Sequence, residues 1–193
     1  MGNKSSSPSP KTMKELRDVI SHEYTNEEIE SWYDDFKASL SKGESALPME
    51  AFIKVYSKTF VGETTRFAEQ VFRVFDTNGN GRVDFKEFML GMYVSGSPLD
   101  EEQKLDWAFR MYDRNGDGYI TKEEMLYMFD AICRMTLTDL PATHSTPEML
   151  TDHFFEHFDE NNDEKISKEE FISKARTYKE IIDMLEVDPF PED

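Results

Sequence analysis

Apolar residues recur at helical spacing along most of the chain, and they predict a protein built from helices. Three sets stand immediately before runs of acidic and amide residues: Phe67, Val71, Phe72 and Phe75; Leu105, Ala108, Phe109 and Tyr112; and Leu150, Phe154, Phe155 and Phe158. Spacings of three and four residues place each set on one face of a helix. A further apolar segment follows each polar run, beginning at Phe88, Met125 and Phe171. The pattern therefore predicts a helix, a polar loop and a second helix, three times over.

The three polar runs span residues 76–87, 113–124 and 159–170, and they align position by position. Ca²⁺ takes roughly six to eight oxygen ligands at about 2.3–2.6 Å, and alternate residues of a tight loop can supply them. A loop of this kind between two helices is the EF-hand unit. The apolar residue at loop position 8 fits a short strand that pairs two loops back to back. We therefore expect an all-α fold with short β-pairing between the loops.

The EF-hand pattern assigns a role to each loop position. Positions 1, 3 and 5 contribute side-chain oxygens, position 7 contributes its backbone carbonyl, and position 12 contributes a bidentate carboxylate. The predicted ligands of the first loop are Asp76, Asn78, Asn80, Arg82 and Glu87. Those of the second loop are Asp113, Asn115, Asp117, Tyr119 and Glu124. Those of the third loop are Asp159, Asn161, Asp163, Lys165 and Glu170.

The third loop departs from this pattern at position 6. Glu164 stands where the first two loops have Gly81 and Gly118. A residue with a Cβ atom is disfavoured by roughly 1–2 kcal/mol in the left-handed conformation that the sharp turn requires. Because every ligand position is kept, we predict that this loop still binds Ca²⁺, and that it does so most weakly of the three.

EF-hands pair, so three hands predict a fourth, and residues 40–51 are the candidate. Leu47 and Phe52 fit positions 8 and 13 of a loop that begins at Leu40. In that register Lys42 and Ala51 stand at positions 3 and 12, where ligands are needed. A shift of one residue places Glu50 at position 12 and leaves two serines as the leading ligands. Neither register supplies enough carboxylate oxygen, so we predict a hand that folds without a metal.

Further motifs extend the pattern over nearly the whole chain. They are Met1-Gly2, Trp32-Tyr33-x-x-Phe36, the loop without ligands, and residues 56–60 (YSKTF), 71–76 (VFRVFD) and 104–109 (KLDWAF). Together they resemble the neuronal calcium sensor family of recoverin, visinin-like proteins, neurocalcin and hippocalcin. The chain departs from the family at residues 40–43, where relatives have a Cys-Pro pair, and at Glu164. The resemblance implies four EF-hands in two paired lobes, with Gly96 as the swivel between the lobes.

The domain organisation follows from the break at Gly96-Ser97-Pro98. We expect a flexible acylated leader with a short helix (1–23), an N-terminal EF-hand pair (24–95), a C-terminal EF-hand pair (99–185) and a C-terminal tail (186–193). Within the leader, Met13, Leu16 and Ile20 are expected to face inward. In the N-terminal pair the first hand is degenerate and the second binds Ca²⁺.

Charge excludes one class of partner. Lys and Arg total 22 against 40 Asp and Glu, which gives a net charge of −18, concentrated in the second half of the chain. A body this acidic is repelled by phosphate backbones, so no nucleic-acid partner is expected. The single cysteine, Cys133, can form no internal disulfide, and no apolar run is long enough to span a bilayer. These features indicate a cytoplasmic protein.

The N-terminus carries a lipidation signal. Residues 1–6 fit the M-G-x-x-x-[ST] pattern for N-myristoylation at Gly2. One myristoyl chain binds membranes only marginally, so a second signal is needed. A small basic patch supplies it: Lys4, Lys11, Lys14 and Arg17. We expect reversible or constitutive association with a membrane surface.

Three functional classes compete for a chain with these features. A calcium sensor exposes apolar surface on binding Ca²⁺, a cytosolic calcium buffer does not, and an enzyme needs a catalytic constellation, of which the sequence shows none. The lipid signal and the aromatic-rich first lobe favour a sensor whose groove receives an amphipathic helix of a regulated target protein. The predicted groove residues are Trp32, Tyr33, Phe36, Phe52, Tyr56, Phe85 and Met89.

Two other features have simpler interpretations. His153 and His157 lie four residues apart on one helix face, which suits Zn²⁺, but no third ligand is evident nearby in the sequence. We therefore expect them to serve packing. Cys133 lies in a helical segment, and we expect a small buried residue there rather than a redox sensor.

Overall fold

The computed structural model describes residues 7–20, 24–58, 60, 62–96, 101–136 and 146–178. These residues form helices and four short strands in the order α1 (Pro10–Ile20), α2 (Asn26–Ser39), β1 (Ala46–Pro48), α3 (Met49–Tyr56), α4 (Thr65–Phe75), β2 (Arg82–Asp84), α5 (Phe85–Gly96), α6 (Glu101–Tyr112), β3 (Tyr119–Thr121), α7 (Lys122–Thr136), α8 (Pro147–Phe158), β4 (Lys165–Ser167) and α9 (Lys168–Ala175). The predicted all-α fold with short β-pairing is confirmed.

The strands join the hands two by two. β1 and β2 pair antiparallel with Leu47 opposite Val83, and β3 and β4 pair antiparallel with Ile120 opposite Ile166. All four residues occupy loop position 8 and are buried. The loop at 40–51 therefore pairs with the first candidate calcium loop, as the sequence predicts. We name the hands of α2–α5 the first pair and those of α6–α9 the second pair.

Local sequence signals fix where several helices begin. Thr25 and Glu28 form a capping box at the start of α2: the Thr25 N–H donates to the Glu28 carboxylate at 2.7 Å, and the Glu28 N–H donates back to the Thr25 hydroxyl at 3.3 Å. The N–H and the hydroxyl of Thr25 both donate to the Glu28 carboxylate, and they hold the pKa of Glu28 below its ordinary value. Thr146 caps α8 directly before a proline at the first helical position.

Helix α1 packs on the first pair of hands. Met13, Leu16 and Ile20 are buried, as predicted, and the helix contacts α5. An ion pair of 2.7 Å between Glu15 and Lys86 adds to this contact and lowers the pKa of the Glu15 carboxyl. The leader residue Gly2 and the tail 186–193 lie outside the described residues.

Helix α4 connects the two pairs of hands. It contacts α6 and α7, and the loop before it reaches the end of α7. There the N–H groups of Gly62 and Glu63 donate to the backbone carbonyls of Met135 and Arg134 at 3.1 and 2.9 Å. These carbonyls lie in the last turn of α7, where no partner within the helix is available. The approach is so close that a Cβ atom on Gly62 would lie 2.1 Å from the Arg134 carbonyl oxygen.

Candidate calcium sites

Position 1 of each candidate loop is an aspartate whose carboxylate holds the turn that follows. Its Oδ2 accepts a hydrogen bond from the N–H of position 6, at 2.8 Å from Gly81, 3.0 Å from Gly118 and 3.0 Å from Glu164. Its Oδ1 accepts from the N–H of position 5, at 3.0, 3.2 and 3.3 Å in chain order. The three loops therefore begin with the same turn, although the third lacks the glycine.

Positions 3 and 5 repeat the arrangement. The N–H of position 5 donates to the side-chain oxygen of position 3 at 3.1, 2.8 and 2.8 Å in chain order. The N–H of position 7 donates to the side-chain oxygen of position 5 at 2.8, 3.0 and 3.0 Å. These bonds gather the predicted side-chain ligands within one short turn. An oxygen-rich turn of this kind suits a hard cation such as Ca²⁺.

The glutamate at position 12 closes the first two loops. One oxygen of Glu87 accepts from the Asn78 N–H at 3.2 Å, and the other accepts from the Asp84 N–H at 3.0 Å. Glu124 makes the equivalent pair of bonds with Asn115 and Thr121, both at 3.0 Å. Each glutamate thus joins the two sides of its loop through both of its carboxylate oxygens.

The third loop closes less completely. Glu170 accepts from the Ser167 N–H at 2.8 Å and from the Ser167 hydroxyl at 2.7 Å, forming a capping box at the start of α9. Within the described part of the chain, no hydrogen bond joins Glu170 to position 3 of its loop. The two sides of the third loop are therefore held together by fewer contacts than those of the first two.

Two carboxylates at predicted ligand positions are buried. Glu87 is 5% exposed and Asp113 is 6% exposed. Among the described residues, neither forms an ion pair with a lysine or arginine. A buried carboxylate is costly unless a cation or several hydrogen bonds balance it. Hydrogen bonds balance both: Glu87 accepts from the N–H groups of Asn78 and Asp84. Asp113 accepts from the N–H groups of residues 116, 117 and 118.

Backbone conformation explains why the first two loops have glycine at position 6 and why Glu164 in the third loop is the exception. Gly81 and Gly118 have φ of 75° and 89°, in the left-handed region that glycine adopts without a steric cost. Glu164 occupies the same position with φ of 64°. The third loop therefore adopts the turn of the other two with a residue that is strained in it. Position 4 of this loop, Asn162, also has a positive φ of 58°, which asparagine tolerates better than most residues.

The loop at 40–51 lacks the ligand geometry of the others. Its Glu44 side chain pairs with Arg82 at 3.3 Å, so this carboxylate is used by an arginine of the neighbouring loop. A turn with Gly43 at φ of 91° replaces the metal-centred turn. The strand β1 nevertheless pairs with β2, which fits a hand that folds without metal.

An apolar cleft of about 250 Å³ opens on the first pair of hands. Its lining contains two of the predicted groove residues, Trp32 and Phe36. The remaining lining residues are Asp35, Ser39, Leu47, Val55, Phe88 and Met92. The predicted residues Phe52, Tyr56, Phe85 and Met89 lie in the core instead, each at most 5% exposed. Tyr33 packs edge to face against Phe85 with ring centroids 4.8 Å apart.

This difference has a geometric cause. Sequence periodicity separates apolar from polar faces of a helix, but it does not separate core residues from residues that line a cleft. Phe52 and Tyr56 contact Phe72, Phe75 and Phe67 of α4, so they belong to the core. Met92 and Phe88 lie one turn apart on α5 and line the cleft.

Two polar side chains of α4 contact the end of α6, and one of them reaches the first residue of the second candidate loop. The Arg73 guanidinium donates to the backbone carbonyls of Arg110 and Asp113 at 2.8 and 2.7 Å. Gln70 is buried, and its amide donates to the Met111 carbonyl at 2.7 Å. These carbonyls end α6, where the helix dipole favours a cation. Burial lowers the pKa of Arg73, against the opposing charges of Asp113 and Glu124.

The contact was not predictable from local sequence, and it links two candidate calcium sites. Arg73 lies three residues before Asp76, the first ligand of the first loop, and it bonds to the backbone of Asp113, the first ligand of the second loop. One side chain therefore connects the entrances of the two loops.

Repeated helix–loop–helix units with this ligand set define a Ca²⁺-binding protein of the EF-hand class. A family model described as an EF-hand domain pair matches residues 102–176, and one described as an EF hand domain matches residues 67–94. The chain belongs to the neuronal calcium sensor family. It is 34% identical over 195 residues to S-modulin of Aquarana catesbeiana, with 98% of this chain and 94% of that protein covered. It is 33% identical over 195 residues to recoverin of Homo sapiens (98% and 95% covered) and 38% identical over 189 residues to neuronal calcium sensor 1 of Lymnaea stagnalis (96% of each).

Among the described helices, none is long and apolar enough to cross a membrane.

Proposed function

We propose that the chain is a calcium sensor in which Ca²⁺ at the three loops controls an apolar groove on the first pair of hands. The groove receives an amphipathic helix of a regulated target protein. A myristoyl group on Gly2 and the basic residues near it hold the sensor at a membrane surface. The observation that carries the proposal is the contact of Arg73 with the entrance of the second loop, because it connects metal sites in both pairs of hands to helix α4.

The coupling follows from the position of α4. This helix leads directly into the first loop at Asp76, and its Phe75 contacts Phe88, which lines the cleft. A Ca²⁺ ion draws the ligands of positions 1 and 12 toward itself, which changes the angle between the helices flanking the loop. Because α4 is one of these helices, its contact with the cleft lining changes as well.

The cleft suits an amphipathic helix in its size and chemistry. Trp32, Phe36, Phe88 and Met92 supply adaptable apolar surface, and Asp35 supplies an acidic edge. An occupant with leucine or phenylalanine on one face and basic residues beside them complements this lining. The net charge of −18 favours the same basic partner.

An apolar dye whose fluorescence rises on binding exposed surface tests the sensor class. We expect a rise with Ca²⁺ and a much smaller rise in the Glu87→Gln and Glu124→Gln variants, since each loses a bidentate carboxylate. A matched control is Glu50→Gln, which makes the same chemical change in the loop that lacks ligands. Ca²⁺ binding without any change in dye fluorescence would instead identify a calcium buffer.

Membrane attachment requires a separate experiment. Sedimentation of the myristoylated protein with anionic vesicles, with and without Ca²⁺, is compared with the Gly2→Ala variant, which cannot be acylated. We expect binding only by the acylated protein. Binding that depends on Ca²⁺ supports release of the lipid by the sensor, whereas equal binding in both conditions identifies a constitutive anchor.

A further inference from the structure

The last two turns of helix α8 carry a cluster of metal-ligating groups outside the calcium loops. The ligand atoms of His153, Glu156 and His157 all lie within 4.8 Å of one another. Their spacing of three and four residues places them on one helix face. The structure thus supplies the third ligand, Glu156, that sequence reasoning did not find. We propose that these three residues form a site for a divalent transition metal of the Zn²⁺ class, separate from the Ca²⁺ sites.

A backbone hydrogen bond orients the ring of His157. Its Nδ1 lies 2.8 Å from the backbone carbonyl oxygen of His153. A carbonyl oxygen only accepts hydrogen bonds, so Nδ1 is the donor of this bond. Nε2 is then the ring nitrogen that is available to a metal. A backbone carbonyl that orients the ring in this way is a common outer contact of metal-binding histidines.

The distances require only a small adjustment. Tetrahedral Zn²⁺ binds nitrogen and oxygen ligands at about 2.0–2.2 Å, which places neighbouring ligand atoms about 3.3–3.5 Å apart. The cluster closes from 4.8 Å to this separation by rotation of side chains, because Glu156 is exposed and the two histidines are only half-buried. The ring centroids of the histidines already lie 4.3 Å apart.

The chemical types of the three ligands determine which metal ion the site prefers. Two imidazole nitrogens and one carboxylate suit Zn²⁺ and neighbouring transition metals, whereas Ca²⁺ and Mg²⁺ prefer oxygen ligands alone. Three protein ligands leave a fourth position for water. The cluster lies near the C-terminal end of α8, where the helix dipole favours a bound cation. His157 is followed by Phe158 and then by Asp159, so the site is adjacent to the third calcium loop.

Calorimetric titration of the full chain with Zn²⁺ at saturating Ca²⁺ tests the assignment, because Ca²⁺ then occupies the oxygen-rich loops. We expect one Zn²⁺ per chain, with an affinity that falls by about tenfold or more in His153→Gln, His157→Gln and Glu156→Gln. The matched control is Glu148→Gln, which removes the same charge from the same helix outside the cluster. We expect this variant to bind Zn²⁺ as the unaltered chain does.

Two results would overturn the assignment. One is Zn²⁺ binding that is unchanged in both His157→Gln and Glu156→Gln. The other is an equal loss of affinity in Glu148→Gln and Glu156→Gln, which would indicate a general effect of charge. Unfolding cannot imitate the expected result, since Glu156 is exposed and its replacement by glutamine removes no packing. Co²⁺ provides a second readout: intense visible absorption reports a four-coordinate site, and it should be lost in the same three variants.

Discussion

Replacing Glu164 with glycine tests whether backbone strain limits the third calcium loop. Glu164 has φ of 64° and donates its N–H to Asp159 at 3.0 Å, as the glycines of the other loops do with their aspartates. The turn is therefore formed, and the difference between the loops lies in the Cβ atom. We expect the Glu164→Gly protein to bind Ca²⁺ more tightly at residues 159–170.

The size of the effect follows from two opposing contributions. A left-handed conformation disfavours a residue with a Cβ atom by roughly 1–2 kcal/mol. Glycine also has greater freedom in a loop that is not yet ordered, which offsets roughly 0.4–1 kcal/mol of this gain. The net change of about 1 kcal/mol corresponds to an affinity about fivefold higher.

The assay must separate strain from charge, because Glu164→Gly also removes a carboxylate. Glu164→Ala removes the same carboxylate and keeps the Cβ atom, so it is the matched control. Both substitutions are made in a chain carrying Glu87→Gln and Glu124→Gln, which weakens the other two loops. Calorimetric titration with Ca²⁺ then reports the third loop.

The two variants give different results if strain limits binding. We expect a tighter site in Glu164→Gly and a nearly unchanged site in Glu164→Ala. An equal change in both variants would assign the effect to charge. An unchanged affinity in Glu164→Gly would show that backbone strain at this position does not limit Ca²⁺ binding.

Three further predictions concern the contacts between the two pairs of hands and the single thiol. Arg73→Gln should lower the free energy of unfolding, measured by urea titration, by about 1–2 kcal/mol, because it removes hydrogen bonds from a charged group. The control Arg110→Gln breaks only an exposed ion pair and should cost less than about 1 kcal/mol. Gly62→Ala should cost about 1–3 kcal/mol, because its Cβ atom cannot fit against the end of α7; wild-type stability in urea would contradict the close approach described above. Partial burial and the charge of Asp130 raise the pKa of the Cys133 thiol above its ordinary value, so the thiolate is scarce at neutral pH. Alkylation at pH 7 should therefore be slower than for glutathione, and equal rates would contradict this environment.

The calcium loops could be predicted from the sequence because their geometry is local. Each ligand set lies within twelve consecutive residues, and the bonds that shape the turn join residues two to five positions apart. The pairing of the loop at 40–51 was predictable for the same reason. Leu47 and Val83 both stand at position 8 of their loops, and they lie opposite each other in the strand pair. The register of the two strands therefore follows from the loop positions.

The remaining features depend on packing between distant segments. The contact from Arg73 to Asp113 joins residues 40 positions apart, and no periodicity in either helix indicates it. The composition of the cleft depends on how deeply α3 and α5 sit against α4, which is why Phe52 and Met89 belong to the core and Phe88 to the cleft lining. Glu156 was not predictable as a ligand for a different reason: the sequence contains 40 acidic residues, and only side-chain geometry distinguishes this one.

Trp32 lines the cleft on the first pair of hands, so its fluorescence can report whether Ca²⁺ opens the cleft. The chain has two tryptophans, and the other is half-buried in α6. The indole nitrogen of Trp107 has no hydrogen-bond partner among the described residues, so Trp107→Phe removes no hydrogen bond and leaves Trp32 as the only fluorescent indole.

Acrylamide quenching of Trp32 in the Trp107→Phe protein, with and without Ca²⁺, measures the opening of the cleft most directly. We expect stronger quenching with Ca²⁺, loss of this increase when Glu87→Gln and Glu124→Gln are added, and renewed protection when a basic amphipathic peptide fills the groove. Quenching of Trp32 that is the same with and without Ca²⁺, in a protein that binds the metal, would contradict it.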